Sequence, residues 1–515
     1  MDMISFNIKN NSMTTEEVIA REIDKWLRSE TREMMLVGER YYSGDHDILY
    51  SKRTVIGEGG KVMEVDNLPN SQIVDNQYAR VVDQKANYSV GKPLTIKHEN
   101  KNYRDSVKGV LDEDFMKKTR ILTVNALNTS IGWLYVYLDK EGKREFKVFP
   151  SSEILPFWKD AEQTELDFVV RVYGDAVYEG REEKNKTRVE IYREDGLYRF
   201  DYELGEFNNP MLFESSDLNP YTPYITRRIV EDEEETVEAY SWGKIPLIPF
   251  KYNNRGISLI SRVKSIQDNL NTVTSNFVNN LLEDPRNSIM VLKNYDGEDL
   301  GEFRRNLATY GAVKVRSGEG EHGGVDVLSV DVNSENYKTI LRQLKTSLIE
   351  NARGVDTKDD RLSAGKVNEM NIQTMYDDID LDASGMEREF QTSLQELMYF
   401  VDMFLKKQGV SIPKENDKIE FQFNRDMLMN ESAKIEDFVK SYGRISDETA
   451  VANHPWVSDL DKEMEKMKQD QSEMDGFINS LGKVTDRAEY NDGKQDIRKD
   501  EIKAKNQNGI DTRGE

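Results

Sequence analysis

The chain has 515 residues, 71 Lys and Arg against 95 Asp and Glu for a net charge of −24, and no cysteine. The missing thiols exclude disulfides, thiolate zinc sites, cysteine nucleophiles and iron–sulfur clusters, and the acidity argues against ordinary nucleic-acid binding, which releases counterions from phosphates to Lys and Arg. A hydrophobic share of 37% beside 32% charged residues, where ordinary domains have about 45–50% and about 25%, points to a soluble protein with much surface for its core, elongated or assembled.

At about 150 residues per domain the length predicts three or four structural units. The opening MDMISFNIKNNSMTTEE lacks a basic and then apolar leader, so no secretory signal is expected. The longest strongly apolar run, Ile245–Phe250, is broken by Pro246 and Pro249; a bilayer needs about 20 apolar residues.

Thr14–Tyr42 reads as a helix, with Thr14, Thr15 and Glu17 as a capping box and Val18, Ile19, Ile23, Trp26 and Leu27 on one face. A polar stretch with Gly57, Gly59 and Gly60 follows. A helix is then predicted over Ile73–Val90, stopped by Gly91-Lys92-Pro93. Over 131–255 the period changes to that of strands. Trp133–Leu138 and Arg144–Phe149 flank Asp139–Gly142, Arg188–Arg193 and Leu197–Tyr202 flank Asp195-Gly196, and Phe168–Tyr173 is a further apolar run. Glu231–Glu235 is an acidic loop.

Ile257–Glu283 reads as a long helix. Val263, Ile266, Leu270, Val273 and Phe277 repeat at 3-4-3-4, a coiled-coil-like packing seam. Its other faces carry Ser, Asn and Thr, and from Gln267 to Leu282 the only charge is Asp268. Such residues are poor helix formers. A polar, uncharged face about 40 Å long therefore needs a reason, either close packing against identical neighbours or a channel whose contents must not stick.

Residues 286–332 read as a small α/β insertion, with strands at Ser288–Leu292, Ala312–Arg316 and Val325–Val330 and a short helix at Gly301–Tyr310. An amphipathic helix at Ser334–Ala352 sets Tyr337, Leu341, Leu344 and Leu348 on one stripe and the basic Lys338, Arg342 and Lys345 on another. Gly354–Gly365 is a polar loop. Helices are predicted at Lys366–Leu381 and Arg388–Lys407, a strand at Glu420–Phe423 and an acidic helical region over Asn430–Gln471, with disorder from about Gly482.

Catalytic motifs are weak. Gly318-Glu-Gly320-Glu-His-Gly323 matches GxGxxG, but a strand-like VDVLSV follows where the dinucleotide fingerprint needs a helix. There is no GxxxxGK[ST] and no HExxH, and His46, His98, His322 and His454 are scattered. Asp380-Leu-Asp382-Ala-Ser384-Gly385 opens like a calcium loop but has Glu387 at position eight and Gln391 at position twelve. The enzymatic alternative is a metal-dependent nuclease using Asp377, Asp378, Asp380 and Asp382.

Several stretches in fixed order resemble the portal proteins of long-tailed, siphophage-type bacteriophages. They are Tyr41–Leu49 (YYSGDHDIL), Asn70–Pro93 with Asp75, Tyr88, Gly91, Lys92 and Pro93, and Ile245–Tyr295 (IPLIPFKYNN, Ser258, an Asn/Ser-rich helix, then VLKNY). Gly354-Val355-Asp356, Ile445–Thr449 and Pro455-Trp456-Val457 complete the set, which spans roughly residues 14–480. The resemblance implies an α+β, multi-domain fold assembled as a ring of about twelve copies around a DNA channel. It implies a wing over 1–255, a first stem helix over 256–283 and a clip over 284–332. A second stem helix over 333–352, a tunnel loop over 353–366, the C-terminal part of the wing over 367–430, a crown over 431–481 and a disordered tail over 482–515 complete it. The function it implies is a non-enzymatic conduit for double-stranded DNA at one capsid vertex, in the virion and, during assembly, in the host cytoplasm. No cofactor, metal or membrane is expected. Expected partners are further copies of the chain, the terminase large subunit, a head–tail connector or adaptor, and the major capsid and scaffold proteins. Lys358, Arg361 and Lys366 on the tunnel loop are expected to meet DNA, with the stem stripe Lys338, Arg342 and Lys345 second or pairing with acids such as Asp268. Arg304, Arg305, Lys314 and Arg316 are expected to face partners at the clip.

Overall fold

The computed structural model describes residues 15–425, leaving out 57–59, 67, 140, 180–181, 203–220, 232–233, 284–288, 294–300, 302–308, 310–323, 329–333, 357–368 and 415–416. It also describes 438–474, leaving out 442, 453, 455–456 and 458–462. The chain divides into two compact units, Met1–Met427 and Leu428–Glu515. The GxGxxG run and the capping residue Thr14 lie outside the described residues.

Where one helix was predicted over Thr14–Tyr42 there are two, α1 (Thr15–Leu27) and α2 (Glu30–Tyr42). Ser29 makes the break. Its backbone is extended, its hydroxyl accepts the Arg32 N–H at 3.2 Å, and it donates to the Trp26 carbonyl at 2.7 Å. Serine is among the best N-caps, so a new helix starts where the old one loses its ladder. The glycine-bearing stretch then forms a small antiparallel hairpin, β1 (Thr54–Ile56) with β2 (Val62–Glu64).

The next helix, α3 (Gln77–Val90), starts later than the predicted Ile73 because the Asn76 side chain caps it by accepting from the Ala79 N–H. After β3 (Thr95–Lys97) come α4 (Lys101–Val110) and α5 (Glu113–Thr129), capped by Asn100 and Asp112. At Gly38 a Cβ would lie 2.1 Å from the Asn128 carbonyl oxygen, so α2 and α5 touch backbone to backbone.

The β region forms as its alternation predicts. β4 (Ile131–Leu138) pairs antiparallel with β5 (Arg144–Phe149), and the Asp139 carboxylate accepts the Glu141 and Lys143 N–H groups in the turn. Around β6 (Ile154–Trp158), β7 (Leu166–Glu179), β8 (Glu182–Tyr192), β9 (Leu197–Tyr202) and β10 (Tyr221–Thr222) a second sheet runs in the order β10-β9-β8-β7-β6. The period of two sends Phe168, Val170 and Val172 to one face, against Ile19, Ile23 and Trp26 of α1. Val169, Tyr192 and Leu197 serve the other face, against Trp133, Phe149 and Leu247. β11 (Ile225–Glu231) and β12 (Glu234–Tyr240) form a separate hairpin at the predicted acidic loop. β13 (Leu247–Lys251) joins β4 in the order β13-β4-β5.

Two long helices follow, α6 (Leu259–Glu283) and α7 (Ser334–Asn351), with an antiparallel strand pair between them, β14 (Ile289–Lys293) and β15 (Gly324–Leu328). The predicted short helix at 301–310 and strand at 312–316 fall largely outside the described residues. Past them the two predicted helices Lys366–Leu381 and Arg388–Lys407 are one 39-residue helix, α8 (Glu369–Lys407). Gly385 points into open space, and the flanking Ala383 and Met386 are buried. That tertiary packing outweighs the roughly 1 kcal/mol that an interior glycine costs. β16 (Glu420–Gln422) pairs with β3. One large core joins α3, α5, the base of α6, α8 and the β13-β4-β5 sheet through Val82, Phe115, Leu134, Phe250, Val263 and Phe400.

Within the second unit, α9 (Asp447–Ala452) is capped by Ser446, whose hydroxyl accepts the Thr449 N–H, and residues 463–474 are helical.

Candidate functional site

The polar residues of α6 fall into two groups. Gln267, Asn271, Ser275 and Asn279 recur every four residues and are at most 2% exposed. Each accepts one backbone N–H from residues 71–78, which run antiparallel to the helix and lead into the first turn of α3. Asn279 takes Ser71 at 2.7 Å; Ser275 takes Ile73, Asn271 takes Asp75 and Gln267 takes Tyr78, each at 3.0 Å. The spacing has a simple cause. Four residues of helix rise about 6 Å and two residues of extended chain about 6.6 Å, so one helix face can serve the alternate amides of 71, 73 and 75; the fourth rung, Tyr78, lies three residues on, in the first turn of α3. Buried amide N–H groups must find acceptors; here a helix supplies them where a sheet would in other folds.

The expectation that the uncharged polar face of this helix awaits a neighbour or a channel is therefore corrected for this half of it, because it is satisfied within the chain. The signal was available in the i, i+4 spacing of Gln267, Asn271, Ser275 and Asn279. The second group, Ser261, Ser265, Asn269, Thr272 and Asn276, centres about 100° further round the helix and is exposed, so one uncharged stripe remains at the surface of the chain.

His46 is buried against the ladder. It stacks on Tyr41 with ring centroids 4.3 Å apart, Nε2 lies 3.0 Å from the Tyr41 carbonyl, and Nδ1 lies 2.8 Å from Nδ2 of Asn271. These partners assign the Nε2–H tautomer, with Nδ1 accepting. Asn271 cannot turn its oxygen to a protonated ring, since that oxygen already accepts from Asp75 and Gln267. Burial lowers the His46 pKa below its ordinary value; the Tyr41 carbonyl and Asp268 oppose that shift and Arg40 reinforces it. A neutral buried imidazole stabilises the fold above the unfolded-state value of about 6.5, and that contribution is lost as pH falls from there through the lowered folded value. Urea midpoints measured at pH 7.5 and 5.5 should accordingly fall more in the unaltered chain than in His46→Gln, which keeps a donor and an acceptor but cannot ionise. Equal falls would remove His46 as the cause.

A second polar centre ties the base of α6 to α7 and α8. Asp382, on α8 and buried, takes the Lys85 ammonium at 2.7 Å and the Tyr252 hydroxyl on one oxygen, with the guanidinium groups of Arg262 at 3.5 Å and Arg353 at 3.4 Å on the other. Burial works against both charges of the central pair. It lowers the Lys85 pKa although Asp382 draws it back up. It would raise Asp382, but Lys85, Tyr252 and Arg262 outweigh it and hold that carboxyl below its ordinary value. Arg353, at φ +53°, ends the turn after α7, and Gln84 of α3 holds the next residues by accepting the Val355 N–H and donating to its carbonyl, both at 2.9 Å. The chain thus enters 357–368 from a fixed root.

Nearby, Arg425 donates to Asp380, Ser384 and both oxygens of Glu387, and Tyr88 donates to Asp380 at 2.7 Å. The carboxylates that a nuclease reading requires are thus divided. Asp380 and Asp382 are committed to cations, while Asp377 and Asp378 lie at the exposed surface of α8. No group of three or more His, Asp or Glu is placed to hold a metal among the described residues, and none of their helices is long and apolar enough to cross a membrane.

The remaining predicted residues are placed as follows. Val263 and Leu270 of the seam are wholly buried in the core, Ile266 packs against it, and Phe277 meets Tyr337 of α7 with ring centroids 4.7 Å apart and planes tilted by 45°. Asn280 donates to the Tyr337 hydroxyl. On the basic stripe Lys338 pairs with Glu335 at 2.9 Å and Lys345 with Asp75 at 2.7 Å, while Arg342 is exposed on the same helix. Asp268 is held by Lys264 and by the Tyr41 hydroxyl within the chain. Lys358, Arg361, Lys366, Arg304, Arg305, Lys314 and Arg316 lie outside the described residues.

Residues 27–476 match the family described as phage portal protein, SPP1 Gp6-like. Among curated relatives, the portal protein of Bacillus phage SPP1 is 28% identical over 475 residues, covering 90% of this chain and 88% of the relative. The portal protein of Clostridium phage phiCD119 is 28% identical over 448 residues, covering 85% and 92%. A solved chain from the virion of a native gene transfer agent particle covers 72% of this chain and 87% of its own length at 14% identity, with a TM-score of 0.37, too loose a likeness to bear on the fold.

Proposed function

The chain belongs to the SPP1 Gp6-like family of phage portal proteins, and from that membership we propose that about twelve copies close into a ring at one capsid vertex and conduct double-stranded DNA during packaging and ejection. The observation that carries the proposal is the family match over residues 27–476, nearly the whole chain. The exposed, uncharged stripe of α6 supports it physically. A channel lined by Ser, Asn and Thr in an acidic protein offers phosphate few charged contacts, so DNA slides without being held. α6 and α7 then serve as stem helices and 284–332 as the clip. The segment 353–366, rooted at Arg353, serves as the tunnel loop, and the second unit includes the crown. The family is structural, and ATP hydrolysis falls to a separate terminase large subunit docked on the clip, which a head–tail connector later replaces.

Negative-stain imaging with native mass measurement tests the assembly. We expect a ring of about a dozen copies with an axial hole wide enough for duplex DNA; a monomer or dimer that persists across salt and protein concentration overturns the proposal. Within an assembled ring, alanine at Lys358, Arg361 and Lys366 should slow packaging, and glutamate at Arg304 and Arg305 should weaken terminase docking. Unchanged rates and docking would remove those assignments and leave the ring.

A further inference from the structure

We propose that Arg262 and Arg353 form a two-guanidinium clamp for a backbone phosphate of duplex DNA, at the N-terminal end of the uncharged stripe of α6. The inference rests on the portal reading, because it takes that stripe as part of the channel wall and DNA in transit as the ligand.

The charges around Asp382 do not balance. Three cations, Lys85, Arg262 and Arg353, meet one carboxylate. Lys85 is buried and takes one oxygen at 2.7 Å, so that pair is closed to solvent. The two guanidinium groups share the other oxygen, Arg262 at 3.5 Å and Arg353 at 3.4 Å, longer than the about 2.7–2.9 Å of a strong charge-assisted bond. Each contact engages only Nη1 of a group with several N–H donors, and the side chains are 27% and 46% exposed. The cluster therefore keeps a surplus of positive charge, carried by its two exposed members. That surplus reaches inward too, since after burial the two guanidinium groups add to the lowering of the Lys85 pKa. Glu350 and Asp378, exposed about one turn before Arg353 and Asp382, are not among the main charges acting on Lys85, Asp382 or Tyr252.

Position matches charge. Arg262 precedes Ser265 by three residues and Asn269 by seven, which sets it within about 60° and 20° of them around the axis. It therefore borders the exposed stripe at one end. No other charge of α6 does so before Glu283, because Lys264 and Asp268 pair with each other and with Asp47 and Tyr41. Arg353 reaches the same place from the turn after α7. The Ser, Asn and Thr of the stripe give a phosphate no cation to rest on, and the guanidinium pair at its end does. Arginine suits that ligand, because its planar fork can donate two parallel bonds to phosphate oxygens. Asp382 holds each fork by one nitrogen and leaves the rest available.

The test uses assembled rings and a short linear duplex, with binding followed by fluorescence anisotropy from about 50 to 200 mM salt. Arg262→Gln with Arg353→Gln should lower the affinity at the low-salt end about tenfold or more. It should also flatten the plot of log affinity against log salt by about one or more, since each phosphate contact adds about 0.9 to that slope. Lys85 and Tyr252 still pair with Asp382 in this variant, so it should fold, which circular dichroism checks. Should it fail to fold, Arg353→Gln alone, at the more exposed of the two, is read in the same way. Arg262→Lys with Arg353→Lys keeps both charges and should restore the slope; a slope as flat as that of the glutamine rings would trace the loss to the fold and overturn the clamp. Unaltered rings that bind no duplex, or folded glutamine rings with an unchanged slope, overturn the clamp and leave the portal reading standing. So does millimolar inorganic phosphate raising the urea midpoint of the unaltered chain while the duplex slope stays unchanged in the variant, which would mean a site for free anions. An unaltered chain that never assembles overturns the portal reading and the clamp with it.

Discussion

Asp382→Asn should destabilise the first unit by about 3–5 kcal/mol, the usual cost of breaking a buried ion pair from one side. Lys85 has only 4% of its side chain exposed, and without the carboxylate its ammonium has no compensating charge. Arg262 and Arg353, with 27% and 46% of their side chains exposed, can turn to water and contribute less to the loss. The measurement is the urea midpoint, with an unchanged slope indicating an unchanged native fold. Replacing both partners, Lys85→Met with Asp382→Leu, should recover most of the stability, because an apolar pair removes the desolvation cost of both charges; the remainder is the Tyr252 hydroxyl left without its acceptor. A double variant as unstable as the single one would show that the cost comes from packing around α8. Because the Asp382 carboxyl is held below its ordinary value, its contribution is present above about pH 4 and is lost as pH falls through the folded value.

The functional consequence lies at Arg353. Asp382 holds Arg353, which ends the turn after α7, and Gln84 holds Val355 two positions later. Asp382→Asn should therefore loosen the Arg353–Val355 turn before α7 itself fails.

What the sequence revealed follows the range over which its signals act. The hairpin at Asp139–Gly142 was legible because a turn and its flanking alternation are local, and the long polar helix because its composition departs from what an exposed helix uses. The break at Ser29 was missed, because the apolar periodicity continues on either side of it. The acidic run at Asp377–Asp382 looked like a break in α8, or a cation site, since the cations that neutralise it come from elsewhere. Lys85 is 297 residues from Asp382 and Arg425 is 45 from Asp380. No local pattern encodes such pairs. The ladder on α6 is an intermediate case. Its spacing was on the page, but composition alone does not say whether an uncharged face meets the same chain, another copy or a passing polymer.

That ambiguity yields the sharpest contrast available in this protein. Asn271→Leu should cost about 3 kcal/mol or more. It removes the acceptor of the Asp75 N–H, a partner of the Gln267 amide and the donor to His46 Nδ1, and each buried group left unpaired costs about 1–3 kcal/mol. Leucine conserves most of the volume, so the loss reports hydrogen bonds more than a cavity. Hydrogen exchange at the amides of 73, 75 and 78 should quicken together, because their acceptors form one continuous ladder. Asn276→Ala, five residues along the same helix but on the exposed stripe, should change the stability of the unassembled chain by no more than about 0.5 kcal/mol. Equal losses at the two positions would mean that the exposed stripe is covered even in a single copy, which would take it away from any channel. A difference of the expected size leaves that stripe free for a role outside the fold of one chain, and the portal reading supplies one in the passage of DNA.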